Sequence, residues 1–513
     1  MIELIRLKSI LKSFSIDELF HIKRNLLLVD GSKSLNSTSR VLDILTSNAE
    51  IDTISISLVL YEKKNYVALK KLLQRVTDKI LEALVSKELL HDKNYYDKRA
   101  REVFNIRRKL LYYDVLAAHG VTNYALIILN QVISIAQKIE YYDYLLISLE
   151  KKMIKMSLRD GERKFGKVYN DIVYYSDCNS SLKYCIYLLR LYSTNFDYKQ
   201  KLFNNDKLKL AIGKIKLDIK RTKSKSIRLY LFYLEGIYFT NNEMYFDCRS
   251  NFIKCLRYLG LHPNIFYDSY FVSCLINISE MDTMLWNFEN SLKSLNKIIF
   301  KFSKSEFNDK LIKEMLFFNY FYLGDLKMAT KYVRLLIEFK LPTLISSFLT
   351  AKRYFYLAVI CNLQGFFNES NKLLTNCQSL DKDKDGWNVG VRILSIINNI
   401  ELEKFDYAES QIENLRKHMS RVKNDSNFYA RLLIITNILV LLGNNSFNFV
   451  FVSIKHIMII NKLKENNLLT RWILKSPEMI IFHEWFDAKV KGVSYDHTEV
   501  MKRLRKNNLS RKL

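Results

Sequence analysis

The sequence has few of the two residues that interrupt helices. Its 513 residues include only 3 prolines and 13 glycines, whereas average usage is about 5% and 7%. All-β and loop-rich proteins need both residues in their turns. This shortage therefore argues against those classes and predicts long helices joined by short turns.

Long apolar runs are also missing. The most apolar stretch, "LLIITNILVLLG" at 432–443, contains a threonine and an asparagine and falls short of the roughly 20 residues that span a bilayer. The first 14 residues, "MIELIRLKSILKSF", place charged residues among the apolar ones, unlike the apolar core of a signal peptide. We expect neither a membrane span nor a signal peptide, and a cytoplasmic location.

The cysteines lack the spacing of a metal site. Their number is odd, and no two of them form a CxxC pair. On the apolar face of a helix, a free cysteine behaves as a small hydrophobic residue. We expect buried, reduced thiols instead of disulfides or zinc ligands at Cys178, Cys185, Cys248, Cys255, Cys274, Cys361 and Cys377.

Motifs for catalysis or cofactor binding are absent or incomplete. The sequence has no GxxxxGK[ST] or GxGxxG loop and no GxSxG elbow. The segment "DKDKDGWNVGVR" begins like an EF-hand loop at Asp381, Asp383 and Asp385, but Arg392 stands where the last ligand should be. His483 and Glu484 lack the second histidine of an HExxH zinc site. We expect no catalytic residue, cofactor or metal, and no enzyme.

Positive charge is abundant. The formal net charge is +27, and clustered Lys and Arg favour nucleic acid because binding releases condensed counterions. An AT-rich codon bias toward Lys, Asn and Ile would give the same excess. The densest cluster, 199–228, has eleven Lys or Arg and two Asp. There Leu208, Ile212, Ile215 and Ile219 predict the buried face of a helix whose other side carries lysines.

A pattern repeats along the chain. In "FYLGDLKMATKYVRLL" (321–336), a turn glycine is followed five residues later by a small residue, and apolar residues come four and seven positions after that. Neighbouring copies are separated by 38 to 43 residues, or by about twice that where one copy, near 207, is degenerate. The small positions are Ala125, Gly166, Cys248, Ser291, Ala329, Ser370 and Ala408.

This pattern resembles the tetratricopeptide repeat family. The resemblance covers roughly residues 100–460, and it departs from the family in its period of about 40 instead of about 34 residues and in using Cys or Ser for Ala. It implies an all-α fold, an α-solenoid superhelix of antiparallel helix pairs in which small residues let the two helices approach closely. The layout also looks like that of helical repeat proteins common in Bacteroidota, a resemblance that brings no established activity.

The two ends differ from the middle. We expect an N-terminal helical module or cap at 1–95, repeats at 96–465, and a C-terminal capping helix with a basic tail at 466–513. Pro477 is expected in the first turn of that helix, and the tail is expected to fray beyond about 505.

The predicted function is a non-catalytic scaffold or adaptor. The concave face of the solenoid would bind a protein or peptide, acidic in character, with exposed tyrosines of "LLYYDVL" (110–116) and "YYDYLL" (141–146) as anchors unless they fill the core. The alternative is a nucleic-acid-binding repeat protein. A third hypothesis, a peptide-sensing regulator, depends on a DNA-reading module in 1–95. The sequence leaves the oligomeric state open.

Overall fold

The structure is a computed structural model in which every regular element of the described residues is helical. It describes residues 2–12, 19–20, 35–47, 52–84, 97–157, 162–194, 205–299, 306–338, 347–382, 386–421, 427–465, 467 and 470–510. No β-strand occurs within these ranges. None of the described helices is long and apolar enough to cross a membrane. The all-α class is therefore confirmed.

The chain divides into two compact units. The first comprises Met1–Asn179 and Asn264–Asp268, and the second comprises Ser180–Pro263 and Ser269–Leu513. The domain boundaries predicted at 95 and 465 stay a prediction. Helices of the first unit are α1 (Ile2–Lys12), α2 (Leu35–Ser47), α3 (Thr53–Tyr61), α4 (Tyr66–Leu84), α5 (Lys98–Ala118), α6 (Thr122–Lys138) and α7 (Tyr142–Ser157), followed by α8 (Glu162–Thr194), which continues into the second unit.

The second unit contains the longest series of helix pairs. Its helices are α9 (Asn205–Thr222), α10 (Lys225–Asn241), α11 (Tyr245–Leu261), α12 (Asp268–Met284), α13 (Phe288–Ile299), α14 (Glu306–Tyr322), α15 (Leu326–Glu338), α16 (Ser347–Leu363), α17 (Phe367–Leu374), α18 (Trp387–Glu401), α19 (Phe405–Arg421), α20 (Asn427–Asn444), α21 (Phe449–Lys455), α22 (Ile457–Lys464), α23 (Phe482–Val490) and α24 (His497–Ser510). A 3₁₀ segment, Thr375–Lys382, extends α17. Consecutive helices pack against each other along the series, which is the arrangement of an α-solenoid.

Many of the short turns between consecutive helices contain a residue with left-handed backbone. These residues have φ between 49° and 81°, a conformation that reverses the chain direction at a helix end. Glycine supplies it at only three of these turns, and larger residues adopt it at the others. They are Gly120, Glu140, Glu243, Trp286, Gly324, Gly365, Glu403 and the pair Ser446 and Phe447. The turn predicted at Gly324 in "FYLGDLKMATKYVRLL" is thus confirmed, because Gly324 lies between α14 and α15.

Small residues lie where the two helices of a pair cross. Ala125, Cys248, Ser291, Ala329, Ser370 and Ala408 are all at most 1% exposed, which confirms the predicted register at these positions. The serines among these small residues form hydrogen bonds with the residue twelve positions earlier, on the first helix of the pair. The Ser370 hydroxyl donates to the Ala358 carbonyl at 2.8 Å, and the Ser279 and Ser291 hydroxyls lie 2.6 Å apart. A side chain at Gly236 would collide with the Phe252 ring.

The register predicted around Gly166 is wrong. This residue lies within α8, is not buried, and has open space where a Cβ would lie. Val173, predicted as an apolar contact of the same copy, is 49% exposed. The 33 residues of α8 form one uninterrupted helix, so no helix crossing occurs there. The degenerate copy expected near 207 coincides with the beginning of α9.

The predicted burial is confirmed for six of the seven cysteines, while Cys361 is only partly buried. None of the seven forms a disulfide. Burial raises the pKa of Cys185 and of Cys377 to about 12, which keeps both as neutral thiols. Cys255 and Cys274 lie with their sulfur atoms 3.3 Å apart, a contact between thiols and not a disulfide, whose bond is about 2.05 Å.

The C-terminal end differs from the expectation in two respects. Pro477 lies before α23, which begins at Phe482 after the N-cap Ile481. A further helix, α24, continues to Ser510, so the described part of the basic tail is helical beyond 505. The physical reason is that Pro477 packs against Gly386 and Gly390 of α18, and the chain needs several residues to leave that contact before a helix can begin.

Candidate partner-binding cleft

The C-terminal residues 470–508 lie against the helix pairs of the second unit. The Tyr322 hydroxyl accepts the Lys475 backbone N–H, and His497 Nε2 lies 3.1 Å from the Phe321 carbonyl oxygen. Gly390 leaves room for Pro477, since a Cβ there would lie 2.7 Å from the Pro477 carbonyl oxygen. The C-terminal segment, as residues 470–508 are called below, therefore packs on α14 and α18, the first helices of their pairs.

Ion pairs join the C-terminal segment to glutamates of the repeats. Lys475 Nζ lies 2.6 Å from Glu280 of α12, and Lys489 Nζ lies 3.1 Å from Glu401 of α18. Arg471 pairs with Glu243 and Arg505 pairs with Glu289 in the same way. These pairs are partly exposed, so each contributes at most about 1 kcal/mol. They align the segment along several repeats, while apolar burial holds it there.

A buried ion pair fixes the fold of this segment. Arg431 of α20 pairs with Glu478, and both side chains are 4% exposed. The same guanidinium donates to the Leu463 carbonyl at 2.9 Å and lies 3.0 Å from His483 Nδ1. Glu478 also accepts the Phe482 N–H at 2.9 Å. Burial, and then the charge of Arg431, lowers the pKa of His483 to about 3, so the imidazole is neutral and accepts from Arg431.

A cleft of about 550 Å³ opens between this segment and the repeats. The turns before α11 and α13 form one wall, and α22, α23 and α24 form the others. Trp286 and Trp472 meet edge to face, with ring centroids 6.1 Å apart. The apolar and aromatic part of the lining is Tyr245, Met284, Trp286, Leu463, Trp472, Ile473, Leu474, Ile481 and Leu504.

The charges of the cleft are largely paired within it. Arg471 pairs with Glu243, Arg503 with Glu484, and Lys464 with Asp487. Glu465 also lines the cleft, is exposed, and has no ion pair within the described chain. A phosphate group needs cations that are not already neutralised, so this lining does not suit a nucleotide. A peptide alternates apolar side chains with polar backbone groups. The aromatic rings of the cleft can contact the former, and its paired charged groups can form hydrogen bonds with the latter.

The predicted chemical motifs do not converge on the cleft as a catalytic set. Asp383 and Asp385 lie outside the described residues. At the end of the EF-hand-like segment 381–392, the Arg392 guanidinium donates to Asn388 Oδ1 at 2.7 Å. Both side chains therefore bond to each other along α18. His483 does line the cleft. Throughout the described ranges, no three His, Cys, Asp or Glu side chains are grouped as metal ligands.

The predicted tyrosine surface is divided between core and exterior. Tyr113 and Tyr142 are each 4% exposed, whereas Tyr112 is 47% exposed. Tyr141 and Tyr144 are half-buried and stack with ring centroids 4.9 Å apart. Part of each tyrosine cluster thus fills the core, as the sequence suggested, and part is available for recognition.

Comparison with known proteins assigns no function to the cleft. No family model matches the sequence, and no curated protein matches it. A solved structure described as Naa15/Naa10 bound to HypK-THB is similar at 12% identity with a TM-score of 0.26, covering 95% of this chain and 80% of that chain. So low a TM-score supports no functional argument. The assignment of this site therefore depends on its own geometry.

Proposed function

We propose that the protein is a non-catalytic scaffold or adaptor, and that the cleft of the second unit binds a short segment of a protein or peptide partner. The observation that supports this is the pairing of Trp286 and Trp472 in a cleft where most of the charges are neutralised by one another. Such a lining gives a peptide apolar contacts and backbone hydrogen bonds without requiring a particular charge. The resemblance to repeat proteins of Bacteroidota contributes no activity to this proposal.

Site-specific photo-crosslinking tests the proposal. A photoreactive amino acid at Asn507, an exposed residue of the lining, is expected to capture a discrete partner in host lysate. The Glu465→Trp change, which places a large side chain in the cleft where a peptide would lie, is expected to reduce that product several-fold. Glu338→Trp, the same change at an exposed position outside the cleft, serves as the matched control. Equal capture by all three forms would refute peptide binding at this site.

The nucleic-acid alternative has its own supporting observation. Helices α3 and α4 are joined by a four-residue turn, 62–65, and α4 exposes Lys70, Lys71 and Arg75. An exposed basic helix after a short turn is the arrangement that enters the major groove in helix-turn-helix proteins. Titration of duplex DNA against salt distinguishes this function, since log K should fall linearly with log salt. Absence of any shift of mixed RNA or DNA at low salt removes this alternative, and absence of a DNA shift removes the DNA-reading regulator.

The cellular location belongs to the proposal as well. A cytoplasmic adaptor agrees with the free thiols of all seven cysteines, because disulfides are rare in that compartment. Fractionation of host cells, with the chain detected by an antibody, checks the location.

A further inference from the structure

The exposed side of α9 carries apolar side chains that are not part of the core. Leu208, Ile212, Ile215 and Ile219 are at most 8% exposed, as predicted for the buried face. On the opposite side, however, Leu210 is 76% exposed and Leu217 is 65% exposed. These two leucines lie seven residues apart, so they are aligned on one stripe two turns apart. Two exposed leucines on one stripe of a helix are unusual in a segment with so many lysines and arginines.

Gly213 lies between the two leucines on the same stripe. It is in the interior of α9, it is exposed, and nothing lies within 4 Å of the position its Cβ would take. An interior glycine destabilises a helix relative to alanine, and no neighbouring group requires it here. The stripe therefore has a recess between two apolar side chains.

Basic residues border the stripe on both sides. Lys209 and Lys216 follow one edge, and Lys214 and Arg221 follow the other; all four are exposed. Relative to the leucines, these are the flanking positions that select a partner by charge in a coiled coil. Lys216 also contacts Glu235 at 2.8 Å and Arg221 contacts Asp218 at 3.2 Å. Lys209 has no ion pair among the residues that the structure describes.

We propose that this stripe of α9 docks an acidic amphipathic helix of a partner protein. The partner's apolar residues would contact Leu210 and Leu217 and enter the recess at Gly213, and its Glu or Asp side chains would meet the bordering lysines. A second copy of this chain is unsuitable, because lysines would oppose lysines. Nucleic acid would leave the leucines without an apolar contact. The inference names the partner class for the proposed adaptor function and depends on it, but it uses a surface separate from the cleft.

Fluorescence anisotropy with a designed probe tests the inference. The probe is a fluorescein-labelled peptide of four heptads with leucine at the core positions and glutamate at the flanking positions, and the titrant is the full-length chain. Leu210→Glu with Leu217→Glu should weaken binding at least tenfold. Leu261→Glu, at a leucine that is 75% exposed elsewhere, should leave it unchanged. A probe with lysine at its flanking positions should not bind.

Three outcomes would overturn the inference. The first is equal binding by the parent and the double leucine variant. The second is an equal loss with Leu261→Glu, which would show unspecific apolar contact. The third is competition by duplex DNA that depends on Lys209 and Lys216 but not on the leucines. Circular dichroism of each variant shows that it is folded. The cleft crosslink at Asn507 is read separately, so its persistence would show that the adaptor function survives without this surface.

Discussion

Gly324 and Gly365 offer a matched pair for testing how the C-terminal segment is attached. Both are the turn residues of their helix pairs, with φ of +78° and +81°. A Cβ at Gly365 meets nothing within 4 Å, whereas a Cβ at Gly324 would lie 2.7 Å from Cγ2 and 2.8 Å from Oγ1 of Thr498 in α24. Alanine substitution therefore perturbs the turn at both sites and the C-terminal packing at only one.

The expected magnitudes follow from these two effects. Left-handed backbone costs a residue with a Cβ about 1 to 2 kcal/mol, partly offset because alanine restricts the unfolded chain. Gly365→Ala should therefore destabilise the second unit by about 1 kcal/mol. Gly324→Ala adds an overpacked contact of about 1 to 3 kcal/mol. The two effects together should make Gly324→Ala destabilising by about 2 to 4 kcal/mol. In a Thr498→Ala background, which removes the two nearest atoms, most of this excess should disappear.

Urea unfolding followed by tryptophan fluorescence measures these differences. All four tryptophans, Trp286, Trp387, Trp472 and Trp485, belong to the second unit, so the signal reports that unit alone. Equal destabilisation by Gly324→Ala and Gly365→Ala would refute the packing of α24 on this turn. So would an excess that persists unchanged in the Thr498→Ala background.

Four further outcomes are expected from the same measurement. Ala329→Leu, at a crossing that is 0% exposed, should cost about 1 to 3 kcal/mol or more, and a cost no larger than that of Gly365→Ala would contradict the register. Arg431→Leu should cost about 3 to 5 kcal/mol because it leaves Glu478 charged and unpaired; a neutral effect would contradict the buried pair. Gly213→Ala should stabilise by about 1 kcal/mol, and destabilisation would show that α9 needs the glycine. Burial lowers the pKa of His497 to about 4, so the unfolded state binds an extra proton between pH 6.5 and 4. The contribution of His497 should then be complete above pH 6.5 and fall by about 3 kcal/mol toward pH 4. His483, whose pKa is lowered to about 3, adds a further fall over the same range, so the His497→Gln variant should lose less stability than the parent but still lose some; an identical pH profile for that variant would refute the assignment.

Gly324→Ala is a poor reference for the effect of Ala329→Leu, although both residues belong to the same helix pair. The sequence predicts the turn at Gly324 and the tight crossing at Ala329, and both are confirmed by their φ value and burial. It gives no indication that Thr498, 174 residues away, packs on the same turn. Gly365, where no such contact exists, is therefore the cleaner reference for Ala329→Leu.

Local pattern accounts for the helix pairs but not for the cleft. Spacing within one repeat is sufficient to place Ala125, Ser370 and Ala408, because the two helices that cross there are neighbours in sequence, as the bond from Ser370 to Ala358 shows. The pattern failed at Gly166, where two closely spaced glycines and Val173 matched the template by chance, although Gly166 and Val173 lie within one long helix. The cleft depends on contacts such as Arg431 with Glu478 and Trp286 with Trp472. No periodic signal encodes pairs so distant in sequence.

The attachment of the C-terminal segment has a consequence for how the protein is made. Stacked repeats contact only their neighbours, so they can fold progressively as they leave the ribosome. Here Ile481, Phe482, Trp485, Phe486 and Met501 join the same core as α14, α16 and α18. That core cannot close until residue 501 has been synthesised. A nascent chain stopped before residue 470 should therefore expose apolar surface and depend on chaperones, whereas a chain that includes the C-terminal segment buries it.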